Sequence, residues 1–345
     1  MINNAVFMTG IKKLETREVP MPSPKEKEVL VKLEYVGICG SDVHYLENGR
    51  IGDFVVNGDF ILGHECGGTI VEVGAGVKSL KVGDKVALEP GQTCGQCVYC
   101  KTGRYNLCPD VEFLATPPYH GCFENYIAYP ENMAFKLPEN ISAKEGALVE
   151  PLAVGIHSAR QGGVTLGSSV VILGAGCIGL MTLLACKAFG AVDVTVVDIV
   201  PKRLECALKL GASRVINALE HDVVEEITRL TNGAGMDIVF ETAGTVKTVQ
   251  QTAYLVNAGG TVVLVGMAPQ DSIEYNFAKI LGKEAQIKSV FRYRNIYPEA
   301  IGAIANGFID VSGIVSHEFD FSEVDNAFDF VMNNKNDVVK AVIRI

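Results

Sequence analysis

The 345-residue chain predicts an α/β protein in two parts, one β-rich and one a doubly wound parallel sheet. Three observations predict it. Between about 165 and 288, apolar strand-like runs alternate with helical stretches, the pattern of parallel strands joined by crossover helices. A G-x-G-x-x-G turn follows the first of those runs. On either side, the chain reads as short strands and glycine-rich turns with few long helical periods. A content of 48% hydrophobic and 20% charged residues suits more than one buried core.

The elements follow in order. Val29 to Tyr35 and Thr69 to Val73 read as strands of the β-rich part. The parallel sheet is expected from VVILG at 170–174, VTVVD at 194–198, RVIN at 214–217, DIVFET at 237–242 and TVVLVG at 261–266, with a buried helix from Ile178 that closes at Gly190. The last stretch opens with SVFRYRNIYPEAI and ends in the strand-like VVKAVIRI, so it is expected to return to the first part. Residues 1–151 and 289–345 then form one domain, and 152–288 a second domain inserted into it. No internal repeat and no low-complexity tract interrupts this order. The segment from Gln161 to Cys186 has no charged residue and is long enough for a membrane span, but Gly174, Ala175 and Gly176 punctuate it into strand, tight turn and helix. No membrane partner is expected.

Composition narrows the function. Forty acidic against thirty basic side chains give a net charge of −10, so the electrostatic drive for nucleic-acid binding is missing. The opening MINNAVFMTGIKKLE lacks the basic flank and apolar run of a secretory signal, which makes the cytoplasm the expected compartment. In a reducing compartment, clustered cysteines read as metal ligands rather than disulfides. Four of the ten cysteines cluster.

Gly174, Gly176 and Gly179 form the G-x-G-x-x-G turn after a strand and at the start of a helix. The first glycine allows the turn, the second lets backbone approach a pyrophosphate, and the third lets helix pack on strand. Asp198 ends the second strand, nineteen positions beyond Gly179. A carboxylate there accepts from ribose hydroxyls and repels a 2′-phosphate, which points to NAD rather than NADP. Arg203, five residues later, is of the type that accommodates such a phosphate.

Cys94, Cys97, Cys100 and Cys108 make C-x2-C-x2-C-x7-C. Four thiolates at these spacings surround one tetrahedral zinc and leave no position for substrate, so the zinc is structural. Iron–sulfur ligation and a zinc-ribbon module share the spacing, and the acidic balance weighs against the latter. Cys39 in GICGSDVHY, His64 and Glu65 in LGHECGGTIVEVGAGV, and Glu150 in ALVEPLAVG offer the mixed donor set of a zinc site with an open position. Taken singly, each also reads as a core or surface residue.

The combination of GHECGGTIVEVGAGV, the four-cysteine lobe and the later GxGxxG resembles the zinc-containing medium-chain alcohol dehydrogenase family, and GICGSDVHY, EPLAVG and VFRYRN resemble its polyol branch, the sorbitol or L-iditol 2-dehydrogenases. The likeness runs from about residue 5 to 345. It implies a GroES-like catalytic domain with a Rossmann NAD-binding domain, two zincs per chain, and hydride transfer from a secondary alcohol of a polyol to NAD. By that resemblance Cys39, His64 and Glu65 bind the catalytic zinc, and Glu150 takes the place where other alcohol dehydrogenases put a second cysteine, as a direct ligand or through water. Ser41 and His44 resemble the family's proton relay, with a surface histidine as the other reading of His44.

The resemblance also assigns cofactor contacts to Ile178, Val265, Gly266, Met267, Val290, Phe291 and Arg292, besides the glycine turn, Asp198 and Arg203. Tyr45, Arg292 and Tyr293 match polyol-contacting positions, Arg292 being equally suited to a cofactor phosphate. Phe113 lines the substrate site or is a core aromatic. The full four-cysteine lobe departs from those polyol dehydrogenases that lack it. Sibling activities on a simple secondary alcohol, butanediol or L-threonine, and a non-catalytic NAD-binding role, are the competing readings. A homo-oligomer, tetramer or dimer, is implied.

Overall fold

The run EVLVKLEYVGI forms the long strand Glu28–Ile38, apolar enough to be buried along most of its length. It pairs antiparallel with Glu65–Val73, Tyr126–Pro130 and Ala341–Arg344. The last pairing sets Ile38 opposite Ala341 and Gly37 opposite Val342, so the last strand of the chain joins the sheet built on Glu28–Ile38. The computed structural model describes residues 2–345. By contact density the chain divides into Met1–Glu150 with Tyr297–Asn306 and Val315–Ile345, and Pro151–Ile296 with Gly307–Ile314.

The first unit is built on a seven-stranded sheet, with smaller sheets beside it. Its core draws on Val29, Val31, Leu33 and Val36 from the long strand, Ile70 and Leu88 from its neighbours, Phe123 and Phe328. Burying such side chains is worth about 1.5–3 kcal/mol each against exposure, which holds this irregular set of strands together.

The second unit is a six-stranded parallel sheet in the order 214–217, 193–198, 169–173, 236–241, 256–264, 286–289. Chain order reverses between Ser169–Leu173 and Met236–Glu241, which opens a crevice at the carboxyl ends of these two strands. Helix Cys177–Ala188 follows the first strand and buries Leu180, Met181, Leu183 and Leu184. The charge-free segment 161–186 therefore resolves into the end of helix Val149–Gly162, strand Ser169–Leu173 and this helix. Among the described residues no helix is long and apolar enough to cross a membrane.

Two boundaries differ from the sequence reading. Residues 289–296 and Gly307–Ile314 fall with the second unit, whereas 289–345 was expected whole in the first. The edge strand carries on, with Val290 N–H donating to the Leu264 carbonyl, and the Cys206 thiol reaches the Gly313 carbonyl at 3.7 Å. The strand expected at 261–266 begins earlier and spans Val256–Leu264.

Candidate metal and cofactor sites

In the four-cysteine lobe the Sγ–Sγ separations are 3.5 Å for Cys97–Cys100, 3.5 Å for Cys94–Cys108 and 3.9 Å for Cys94–Cys100. A tetrahedron of sulfurs about 2.3 Å from a zinc has edges of about 3.8 Å, so the thiols already describe that figure. Local backbone explains the placement. Cys97 N–H donates to the Cys94 sulfur, Cys100 N–H donates to the Cys97 sulfur, and the short helix Val98–Lys101 starts from Cys97 as its cap. The backbone N–H groups of Gln96 and Cys97 pull the Cys94 thiol down to about 7, toward the thiolate a metal requires.

In the second donor set His64 and Glu65 are buried and Cys39 is half-buried. A cysteine sulfur, an imidazole nitrogen and a carboxylate oxygen from Cys39, His64 and Glu65 lie within 4.8 Å of one another. Cys39 caps helix Gly40–Asn48, directly after the long strand ends at Ile38, while Glu65 starts the adjacent strand and pairs with Gly37. Gly37 is required there: a Cβ on it would lie 2.1 Å from Glu65 Oε2, on top of the carboxylate. Glu150 is buried in the first turn of helix Val149–Gly162 and is not part of the three-residue cluster, because a helix start rather than the shared strand edge places it.

Two residues that sequence reasoning missed complete the surroundings. Asp42 is fully buried, accepts from the N–H groups of Cys39 and Gly63 at 2.9 Å each, and lies 3.7 Å from His64 Nδ1. A carboxylate beside an imidazole is of the type that orients a metal-binding histidine. The signal of Asp42 was its place three residues after Cys39, at the N3 position of a capping box. Lys340 donates to both oxygens of Glu65, at 2.7 and 2.6 Å, from the far end of the chain. No local pattern announces it. Burial alone would depress the His64 imidazole, but Cys39 and Asp42 outweigh it and raise it well above its ordinary value. Surroundings that attract a proton so strongly also attract a divalent cation.

The glycine turn, Asp198 and the segment from Val265 to Met267, expected to face a nucleotide, lie at the carboxyl ends of the parallel strands. A Cβ on Gly179 would sit 1.9 Å from the Gly174 carbonyl oxygen, so only glycine lets the helix approach the turn. At Gly176 a Cβ would meet nothing within 4 Å, leaving room for a phosphate before the uncapped N-terminus of helix Cys177–Ala188. Asp198 ends its strand with Oδ2 accepting from Ala175 N–H at 2.6 Å and Oδ1 accepting from Ile199 and Val200 N–H at 2.8 and 2.9 Å. Its carboxylate is thereby tied to the glycine turn. Val265 and Gly266 N–H donate to the Glu241 carbonyl, which sets the segment holding Met267 beside the end of strand Met236–Glu241.

Ser41 and His44 lie on helix Gly40–Asn48, His44 exposed and Ser41 half-buried. Tyr45 on the same helix is buried, with its ring 6.2 Å from that of Phe60. Phe113 is buried with its ring 5.8 Å from the His64 imidazole, which ties its segment to the metal cluster. Arg292 sits with φ +55° and its guanidinium 4.8 Å from the Phe291 ring, and Tyr293 beside it is buried. A non-glycine residue held at positive φ costs on the order of 1 kcal/mol, a local strain that accumulates where side chains are aimed for function.

Comparison with known proteins agrees with this architecture. A model described as alcohol dehydrogenase GroES-like domain matches residues 25–139, and one described as zinc-binding dehydrogenase matches residues 177–306. The chain is 50% identical over 338 residues to an uncharacterized zinc-type alcohol dehydrogenase-like protein, YdjJ, of Escherichia coli, covering 97% of this chain and 96% of that one. It is 44% identical over 339 residues to the sorbitol dehydrogenase of Bacillus subtilis, covering 98% and 96%. The crystal structure of an Escherichia coli oxidoreductase/dehydrogenase of unknown specificity superimposes with a TM-score of 0.97 at 47% identity, over 100% of this chain and 99% of that one. With two sulfur-bearing sets of candidate metal donors, a dinucleotide turn and these likenesses along its length, the chain belongs to the zinc-containing alcohol dehydrogenase family, in its polyol branch.

Proposed function

We propose that the protein is an NAD-dependent zinc polyol dehydrogenase that oxidises a secondary alcohol of a sugar alcohol to the ketose. The observation that carries this reading is the thiol–imidazole–carboxylate set of Cys39, His64 and Glu65, with Cys39 half-buried and the other two buried, whose three donors would leave one position of a tetrahedral ion for substrate. Zinc bound there supplies the Lewis acidity that makes a hydroxyl acidic near neutral pH, and NAD supplies the hydride acceptor. The chain's own residues do the rest. Asp42 holds the His64 ring, His44 and Ser41 carry a proton toward solvent, and the exposure of His44 supports that task.

Glu150 acts on this site through water rather than as a direct ligand, which its place outside the three-donor cluster supports. Tyr45, Phe113, Arg292 and Tyr293 recognise the polyol, phenol and guanidinium donating to its hydroxyls without a charged pocket. The glycine turn with Ile178 takes the pyrophosphate, Asp198 selects NAD over NADP, and Arg203, Val265, Gly266, Met267, Val290 and Phe291 line the rest of the cofactor. None of the ten cysteines is joined in a disulfide, which supports a reducing compartment, the cytoplasm. The edge strand Gln286–Ser289, with Ile287 and Phe291 exposed nearby, supports self-association as a dimer or tetramer.

The test is a side-by-side panel of sorbitol, xylitol, L-iditol, butanediol and L-threonine with NAD and with NADP, on protein of measured zinc content. Turnover of the polyols with NAD, read as absorbance near 340 nm, is the expected result. Two-zinc protein that turns over only butanediol or threonine, or nothing, overturns it.

A further inference from the structure

Lys340 is 3% exposed and immediately precedes strand Ala341–Arg344. Its ammonium donates to both oxygens of Glu65, at 2.7 and 2.6 Å, and to the Ile38 carbonyl at 3.1 Å. Ile38 adjoins Cys39, and Glu65 adjoins His64. One cation therefore ties together the two segments that carry the donor set. Glu65 is 1% exposed, so solvent does little to screen the charges around it.

We propose that Lys340 is a positioning residue that shares the Glu65 carboxylate with the metal of the Cys39–His64–Glu65 site and holds that metal's affinity down. The inference rests on the reading that these three residues bind zinc. A carboxylate has lone pairs enough to serve an ammonium and a metal at once, so the two cations coexist. They coexist with negative coupling, because each neutralises the charge the other needs, and such coupling is reciprocal. The consequence is a zinc that keeps more of its positive charge than a thiolate and a carboxylate alone would leave it. The ammonium also steadies Glu65 when the metal leaves, since an unpaired buried carboxylate is costly.

The experiment titrates zinc-loaded, full-length protein with a chromophoric zinc chelator. Wild type is expected to release zinc in two steps, the four-cysteine lobe serving as an internal standard. In Lys340→Met the step from the open site moves to about tenfold higher chelator, while the lobe step stays in place. Lys340→Arg, which restores a cation, returns it toward wild type. If Lys340→Met does not fold, Lys340→Gln, which keeps donors without the charge, carries the same test. Release from the variant at the same or lower chelator than wild type overturns the proposal, because support without competition predicts a looser zinc. A wild type that binds only the lobe zinc refutes the site reading instead, so the two failures are told apart.

Discussion

The four-cysteine lobe and the Cys39–His64–Glu65 cluster both present sulfur to a metal, but they are built in opposite ways. In the lobe, four like donors come from one stretch of fifteen positions, Cys94 to Cys108, and hydrogen bonds within that stretch shape it. In the second cluster three unlike donors come from a helix cap and a strand start. They are steadied by Asp42 on one side and, 275 positions from Glu65, by Lys340 on the other. The lobe is a local module whose metal substitutes for a core. The cluster is a product of the whole first unit, its donors placed by the pairing of strands far apart in sequence.

That contrast makes its first and largest prediction. His64→Ala should cost roughly 10³-fold in turnover, the several kcal/mol expected when a Lewis acid is lost, and zinc content should fall from two to one. Its melting temperature should change little. Cys97→Ser should do the reverse: a stability loss of several kcal/mol, with the segment between Cys94 and Cys108 the first cut by a protease, and turnover retained in the folded fraction. Melting curves, limited proteolysis and metal analysis on both variants check it. Equal thermal losses would erase the distinction between module and scaffolded site.

Asp42→Asn sharpens the comparison at a finer scale. The substitution keeps the shape and one acceptor oxygen, but it turns the other into an NH2 donor facing the Cys39 or Gly63 N–H and removes the charge beside His64 Nδ1. Losses of this kind run 10- to 100-fold in metal affinity or activity. Zinc retention at the open site and turnover should both fall within that range, with the lobe untouched. An unchanged enzyme would reduce Asp42 to a helix cap.

The same contrast explains what could be read in the sequence. The lobe was legible from its spacing because its geometry is set within one short stretch. The strands at 170–173, 194–198 and 214–217 were legible because each is an apolar β-branched run between turns, and the structure forms Ser169–Leu173, Asp193–Asp198 and Arg214–Asn217. The donors Cys39, His64 and Glu65 stood out only together and through a family likeness. Asp42 was concealed by its second use as a cap, and Gly37 and Lys340 by long-range pairing, since nothing near Val342 in sequence says that its strand lies against Gly37. The assignment of Gly307–Ile314 to the second unit was hidden in the same way, being fixed by contacts such as Cys206 to Gly313.

The last prediction tests how self-contained the lobe is. Tyr105 lies between its third and fourth cysteines and donates to Glu89 Oε1 at 2.7 Å, and the Glu89 carbonyl accepts from Tyr129 in the body of the first unit. Burial pushes the Glu89 carboxyl up to about 7 from an ordinary 4.5, with the Tyr105 hydroxyl offsetting part of that rise. A folded-state value above the unfolded one means that the group's contribution is fully present below about 4.5 and is lost as pH rises through 7. Glu89→Gln keeps an acceptor for Tyr105 and never ionises. It should therefore match wild type near pH 4 and exceed it by about 2–3 kcal/mol, several degrees in melting temperature, near pH 8. Glu124, also raised by burial to about 7, contributes the same slope to both proteins and cancels in the difference. A melting-temperature difference that stays flat from pH 4 to 8 would show that the tether does not titrate within the fold. In that case the lobe would stand on its metal and its local hydrogen bonds alone.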